Sequence, residues 1–591
     1  MRKATAAFWA VLGLCLVTGA AHAAEAVKVL EVRWRGTQAL EAAYPESPLG
    51  QAFSNAEPLD REQIMTAIEA FERLSDGDVD PQVMEAFEAG FGFLDAAWAG
   101  GVDVALFVDP NPAPDPAPFG GPGVRTGVVF EMPVTDATRP LLERPEVTEN
   151  LAVTVNGDRM RLVSNRPGSF VPDYAFPEAP PLPLAGWVNV PALLDLATRN
   201  APPDADRVLD ALNLDALGPL TLGGDLTDAG WVTRLRLPVD PAKADTGLPT
   251  LFAGGDLDRS LLGRVPDGAS RASLQHLSLP AVLTLVRDVA AAQDPTLVTR
   301  IDGGIDLAGQ MIGVDLRADL FENLGNTWLR THEPNAAGMS LLGTVIINKP
   351  KNAAGVQRVV DGVLRAYGTA MRQQQADFVP PVVRRELGEV QMTMLQGPGF
   401  SLVSVLQDGF WFLGFDERAV VAAAAGGRGR KPLAAVPQGE AARVIRAQAS
   451  DDLGGKPLSL VSIDPRPGLA SLYPTLDFFD GLLRGGAAGV AKQGVGAGLP
   501  SLTDLITPIP VSQASLVRDA EGLTLTWTSA LPGVELAALD LNQLTPTSFL
   551  VGAVPAFFQT FVEEADPDAP PPVIFEPELK PQDAPPPPPP F

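Results

Sequence analysis

LAVTVNGDRMRLV, residues 151–163, alternates apolar and polar positions on both sides of Asn156-Gly157. Alternation over so short a run is the mark of a half-buried strand. Asn-Gly is the strongest two-residue hairpin signal, because both turn positions favour positive φ. With the turn centred on Asn156-Gly157, Val153 is expected to face Met160 and Leu151 to face Leu162, with Thr154 and Arg159 on the other side. The stretch therefore predicts an antiparallel hairpin.

Outward from this hairpin the chain repeats itself. RTGVVFEMP (125–133) reads as a strand before the hairpin, with a short helical stretch at 137–143 between them. In the second half GTVIIN (343–348) is the matching strand, and Val356, Val359, Val360, Val363 and Leu364 follow at helical spacing. A second hairpin comes next, 400–406 and 410–415 around Asp408-Gly409. Both of its faces are apolar, which predicts a covered, central place in a sheet. PLAGWVNVPALLDL (183–196) and PLSLVSIDPRPGLASL (457–472) then share the order strand, proline, helix, with Leu469, Leu472, Tyr473, Leu476 and Phe479 giving the second helix an apolar side. Hairpins close both units, around Asp228-Ala229-Gly230 and around Glu521-Gly522, and Leu523, Leu525 and Trp527 alternate on the last strand. The leaders VKVLEVRWRGTQALEAA (27–43) and ASLQHLSLPAVLTLVRDVA (272–290) also correspond.

The expected fold class is α+β: two related halves with antiparallel, hairpin-rich sheets and amphipathic helices packed on one sheet face. Hairpin turns of this kind argue against a doubly wound parallel sheet. The expected division is a signal peptide (1–23), units at 24–180 and 181–268, related units at 269–450 and 451–540, and an apolar segment with a Pro-rich tail (541–591).

GVDLRADLFENLGNTWL (313–329), GTVIINKPKNAAGVQRVV (343–360) and SLVSIDPRPGLASLYPTL (459–476) together resemble a family of exported bacterial proteins, common in planctomycete-type genomes and named only as domain of unknown function 3352. The likeness covers most of residues 25–540. It implies an exported envelope protein and supplies no catalytic residues.

The ends say where the chain works. Met1-Arg2-Lys3, an apolar run at 6–20 and Ala21-His22-Ala23 form a basic n-region, an h-region and an A-x-A site. That is the plan of a cleaved secretory leader, too short for a membrane span, and it predicts a periplasmic or extracellular protein. The single cysteine, Cys15, lies inside the leader behind Leu14, so lipidation is not expected and the mature chain has no thiol. Disulfides, thiolate metal sites and cysteine nucleophiles are thereby excluded. The net charge is −27, and the leader removes two of the 44 basic residues while all 71 acidic ones stay. Such a field repels nucleic acid. The apolar stretch at 548–564, broken by Pro555, is expected to touch a membrane at most peripherally.

Candidate chemistry is sparse. His276 and His332 are the only histidines beyond the leader, and no nucleophile elbow, zinc-binding H-E-x-x-H or phosphate-binding loop is present. His332, in Thr331-His332-Glu333, is expected as an exposed loop histidine. Asp76, Asp78 and Asp80 alternate as in a calcium loop, but Pro81 and Phe87 stand where glycine and glutamate are needed. Asp80 reads instead as the N-cap of a helix at 82–91. Glu563, Glu564, Asp566 and Asp568 read as solvating charges. Arg428, Arg430 and Lys431 form a basic cluster in a Gly-rich loop, read as a surface loop. The sequence thus assigns no catalytic, cofactor-binding or metal residue and no cofactor. It predicts a non-catalytic envelope scaffold or partner-binding protein. The alternatives are a carrier of a lipid or other apolar ligand, for which a deep apolar cavity is the test, and a hydrolase using carboxylates alone.

Overall fold

The first hairpin forms with its turn moved by one residue. The turn is Gly157-Asp158, and the observed pairs are Val155 with Met160, Val153 with Leu162 and Leu151 with Ser164. Only Gly157 takes positive φ, +64°, as a type II′ turn requires at its first central position. Asn156 stays in the strand. The shift moves each partner by two residues, so no side chain changes face. At the second hairpin both turn residues are left-handed, Asp408 at +52° and Gly409 at +78°, as the sequence predicts.

The computed structural model describes residues 26–43, 93, 96–109, 125–136, 138–139, 142, 151–164, 172, 174–177, 182–199, 203–227, 230–333, 343–373, 381–387, 390–397, 400–426, 439–467, 470 and 509–529. The signal peptide, the Asp76–Asp80 motif, the basic cluster at 428–431, the helix expected from Leu469 to Phe479, the 548–564 segment and the tail lie outside them.

In the first half, the strands are β1 (Val27–Trp34), β2 (Val102–Asp109), β3 (Arg125–Pro133), β4 (Leu151–Asn156), β5 (Arg159–Ser164), β6 (Leu184–Val188), β7 (Leu220–Thr227) and β8 (Gly230–Pro238). Their helices are α1 (Thr37–Ala43), α2 (Val190–Arg199) and α3 (Pro203–Leu212). The second half supplies β9 (Arg271–His276), β10 (Thr327–His332), β11 (Thr344–Asn348), β12 (Val382–Leu387), β13 (Val390–Gly397), β14 (Phe400–Gln407), β15 (Phe410–Gly414), β16 (Lys456–Ile463), β17 (Ser512–Arg518) and β18 (Gly522–Ser529). With them come α4 (Leu279–Gln293), α5 (Pro295–Ile312), α6 (Ala353–Gln373), α7 (Glu417–Ala424) and α8 (Ala441–Gln448).

All 18 strands belong to one antiparallel sheet, where the sequence predicts a sheet for each half. The pairings run β4-β5-β3-β2-β1-β6-β7-β8 through the first half. They continue β18-β17-β16-β9-β10-β11-β15-β14-β13-β12 through the second. Read from its own end of the joint, each half has the same order: β8, β7, β6, β1, β2, β3, β5, β4 answers β18, β17, β16, β9, β10, β11, β15, β14. Among the described residues only the β13–β12 hairpin has no counterpart.

The halves meet where β8 pairs with β18, from Ser529 opposite Trp231 to Gly522 opposite Pro238. Two glycines make this joint two-fold in detail. Gly230 and Gly522 each follow a hairpin turn, at φ +114° and +146°. A Cβ on Gly230 would strike the Ser529 carbonyl, and one on Gly522 the Leu237 carbonyl. Each half therefore presses a backbone carbonyl into the space that the other half's glycine leaves open.

Helices cover both sides of the sheet, not one. Arg384 and Arg385 are neighbours on β12 and so point to opposite faces. Arg384 binds Asp361 of α6 at 2.8 Å, and Arg385 lies 3.6 Å from Glu417 of α7. The largest core lies on the α7 side, where Leu274, Leu329, Ile347, Phe412, Val405 and Met392 pack from successive strands beneath α7 and α8. The second hairpin is not central: β14 and β15 stand third and fourth from the β12 end. One of its faces is buried through Val403, Val405, Phe410 and Phe412, while Leu402, Leu406 and Leu413 on the other are half-buried.

Candidate functional site

Charge is organised most densely on the first half of the sheet. In an unbroken strand residues three apart face opposite ways. A bulge between Lys28 and Leu30 inserts one extra residue into β1, so Lys28 and Glu31 share a face. The Lys28 ammonium donates to Glu31 Oε2 at 2.5 Å and to the Tyr174 hydroxyl at 3.2 Å. Tyr174 donates its hydroxyl to Glu31 Oε2 at 2.6 Å. The ammonium also lies 4.9 Å from the ring centres of both Tyr174 and Trp187, the latter directly opposite Glu31 on β6. This is an aromatic cation site occupied by the protein's own lysine. Burial pushes the Glu31 carboxyl up, but the bonds from Lys28 and Tyr174 outweigh it and hold the group below its ordinary value.

Two residues further along β1, a row of charges crosses four strands. Arg33, Asp103, Glu131 and Arg161 stand opposite one another on β1, β2, β3 and β5. Two carboxylates facing each other would repel. They are held instead by arginines: Arg33 Nε to Asp103 at 2.9 Å, Arg159 to Asp103 at 3.0 Å and Arg161 to Glu131 at 3.0 Å. Every charge in the row has an opposite partner, so the layer fixes the register of these strands. Tyr174→Phe removes one bond to a buried carboxylate and is expected to cost about 1 kcal/mol, measured as a shift in the urea midpoint with an unchanged slope.

A groove of about 610 Å³ lies at the C-terminal end of α5. Gly313, at φ +72°, ends the helix, and a π-helical turn at Arg317–Phe321 follows. Asp315 caps that turn by accepting the Arg317 and Ala318 N–H groups at 2.9 and 3.1 Å. Ile305, Asp306, Gln310, Val314, Asp315 and Arg317 are among its lining residues. Arg317 reaches Asp302 at 3.0 Å and Asp306 at 3.3 Å, and Arg287 also binds Asp302. Burial opposes ionisation of Asp302, but the bonds from Arg287 and Arg317 win and depress its pKa. The groove is walled by paired charges and is not the deep apolar chamber a lipid carrier needs.

His332 is not an exposed loop residue. It is the last residue of β10 and is half-buried, with Nδ1 3.4 Å from the Thr344 hydroxyl and Gly343 against its ring. Burial, then the positive fields of Arg271 and Arg330, lower its pKa to about 4. His276 sits on the neighbouring strand but at the other end of the pairing, opposite Thr327, while His332 is opposite Arg271. Burial lowers its pKa as well, and its Nδ1 has no hydrogen-bond partner among the described residues. The two rings therefore share no site.

The His332 shift has a sign that can be measured. In the unfolded chain the ring titrates near 6.5, and in the folded protein near 4. Between these values the unfolded chain binds more protons, so stability is full above pH 6.5 and falls as pH drops toward 4. By pH 4 the expected loss is on the order of 3 kcal/mol. His332→Gln is expected to flatten that part of the profile when melting is followed from pH 7 to pH 4.

Sequence reading singled out neither the Lys28–Glu31–Tyr174 cluster nor the row from Arg33 to Arg161. The available signal was three charges, Lys28, Glu31 and Arg33, in the otherwise apolar strand VKVLEVRW. Comparison of the chain with protein-family models, with curated proteins and with solved structures gave no match in any of the three.

Proposed function

We propose that the protein is an exported, non-catalytic component of the cell envelope that serves as a scaffold or partner-binding module. The observation that carries this reading is the use of charge within one continuous sheet. Lys28, Glu31, Arg33, Asp103, Glu131 and Arg161 neutralise one another within β1 and across its neighbouring strands instead of converging on an open cleft. Eighteen strands at about 4.8 Å spacing extend roughly 80 Å across the sheet, a long frame for presenting binding surfaces. The leader at residues 1–23, the net charge of −27 and the proline-rich tail support a secreted, soluble role. We read the repeated strand order as an internal duplication, and the three phrases at 313–329, 343–360 and 459–476 as marks of the exported family named above.

A carboxylate hydrolase needs an acid whose pKa is raised. The displaced carboxylates among the described residues, Glu31, Asp258, Asp294, Asp302 and Glu440, are all displaced downward. The carrier reading is motivated by the half-buried apolar row Leu402, Leu406 and Leu413. Native mass spectrometry of mature protein released gently from its own envelope separates the scaffold reading from the carrier reading. A bare protein, or one bound only to protein, is the expected result. A reproducible adduct of lipid-like mass would overturn the scaffold reading in favour of the carrier.

A further inference from the structure

Asparagine is a chemically labile residue, and Asn156 is the only one in the chain that precedes a glycine. Both residues of the pair are exposed at the β4–β5 hairpin. Asn156 ends β4 opposite Arg159, the pair that closes a two-residue turn. The Gly157 N–H lies inside that turn and takes no part in the ladder. The turn is held on its far side, where Val134 donates to the Asp158 carbonyl at 2.7 Å. A Cβ built on Gly157 would meet nothing within 4 Å, so no neighbouring group crowds its nitrogen.

The other described asparagines are protected, each in an identifiable way. The side chains of Asn189, Asn213, Asn323, Asn348 and Asn352 are held by hydrogen bonds to backbone groups. Asn326 is followed by Thr327, whose branched side chain screens the next amide nitrogen. Among the described residues Asn156 alone combines a carboxamide with no hydrogen bond and a neighbour with no side chain.

We propose that Asn156 is a self-modification site, converted without an enzyme to aspartate and isoaspartate. The Gly157 nitrogen gives up its proton to water and attacks the Asn156 carboxamide carbon. A new C–N bond closes a succinimide, the bond to Nδ2 breaks, and Nδ2 takes a proton from water and leaves as ammonia. A second water opens the ring. Cleavage at the side-chain carbonyl gives aspartate. Cleavage at the main-chain carbonyl gives isoaspartate, with the backbone rerouted through the former side chain. Nothing is oxidised or reduced.

The register sets the consequences. Asn156 faces Arg159 on the side of the sheet that carries the charged row, where Arg161 stands opposite Glu131. An aspartate at 156 gains a cation directly across the hairpin and keeps the fold. Isoaspartate adds a backbone carbon at the entry to the turn, so the two strands no longer match in length there. The modification is independent of the scaffold reading, and either can fail alone.

Site-resolved peptide mapping of the full protein in mildly alkaline buffer tests it, with a synthetic LAVTVNGDR peptide beside it as the clock. Far-UV circular dichroism follows folding through the incubation. Residue 156 is expected to be the first asparagine of the folded chain to lose its amide, within about tenfold of the peptide's rate, and to yield both isomers. Asn156→Gln, which must close a larger and slower ring, is expected to keep its amide and an unchanged melting temperature. An amide retained at 156 for longer than about ten peptide lifetimes, or lost no sooner than that of Asn326, would overturn the proposal. Aspartate formed without isoaspartate would overturn the succinimide route.

Discussion

Gly522→Val is expected to destabilise the protein by about 3 kcal/mol or more. The residue sits at φ +146°, which a β-branched side chain does not tolerate. Its new Cβ would collide with the Leu237 carbonyl and lie 2.8 Å from Pro238 Cα and Val239 N. These are backbone atoms of the other half, so relief requires β8 and β18 to part. The two-fold counterpart, Gly230→Val, meets the Ser529 carbonyl in the same way and is expected to cost a similar amount. Gly255→Ala, where an added Cβ meets nothing within 4 Å, is the control and is expected within about 0.5 kcal/mol of the parent. Urea unfolding of the three variants compares them. Equal midpoints for Gly522→Val and Gly255→Ala would mean that the joint bears no stability.

Phe412→Ala is the second large effect, expected at about 3–5 kcal/mol. Phe412 is fully buried on β15, between Ile347 of β11 and Val405 of β14. Val420, Ala423 and Ala424 of α7 belong to the same cluster. Small alanines let the helix approach, but they leave nothing that can swing in to refill the space of a lost ring. Leu413→Ala, next along the strand and on the half-buried face, is expected to cost less than half as much. Similar losses at both positions would contradict the assignment of the principal core to the α7 face.

Much of this architecture was readable locally. The hairpins around 157, 229, 408 and 521 carry glycine or aspartate at the turn and alternating apolar residues beside it, and these signals act within a few residues. What failed to show is non-local. Nothing near Trp231 announces that its strand will meet Ser529, because the contact joins residues almost 300 positions apart. β12 was hidden by its own charges: VVRREL looks like a loop until α6 and α7 supply a carboxylate on each side for Arg384 and Arg385. The charged layer was hidden for a related reason. Glu31 and Arg33 read as polar positions of a half-exposed strand, and only the bulge, Tyr174 and Asp103 turn them inward. His332 misled because Thr331-His332-Glu333 has the composition of a loop, while pairing with Thr344 of β11 makes it a strand end.

Both halves form a single sheet, and a pair of cysteines across the joint reads this most directly. Arg234 and Thr526 face each other across β8 and β18. Alternation from the β7–β8 turn makes them a non-hydrogen-bonded pair, with Cα atoms about 4.5 Å apart, within disulfide range. Cys15 is the only cysteine, so a Cys15→Ser background leaves no other thiol. Arg234→Cys with Thr526→Cys is predicted to close an intramolecular disulfide under mild oxidation, while Arg234→Cys with Arg518→Cys, on the strand beyond, stays reduced. A free thiol pair at 234 and 526 would contradict the joint, and with it the continuous sheet.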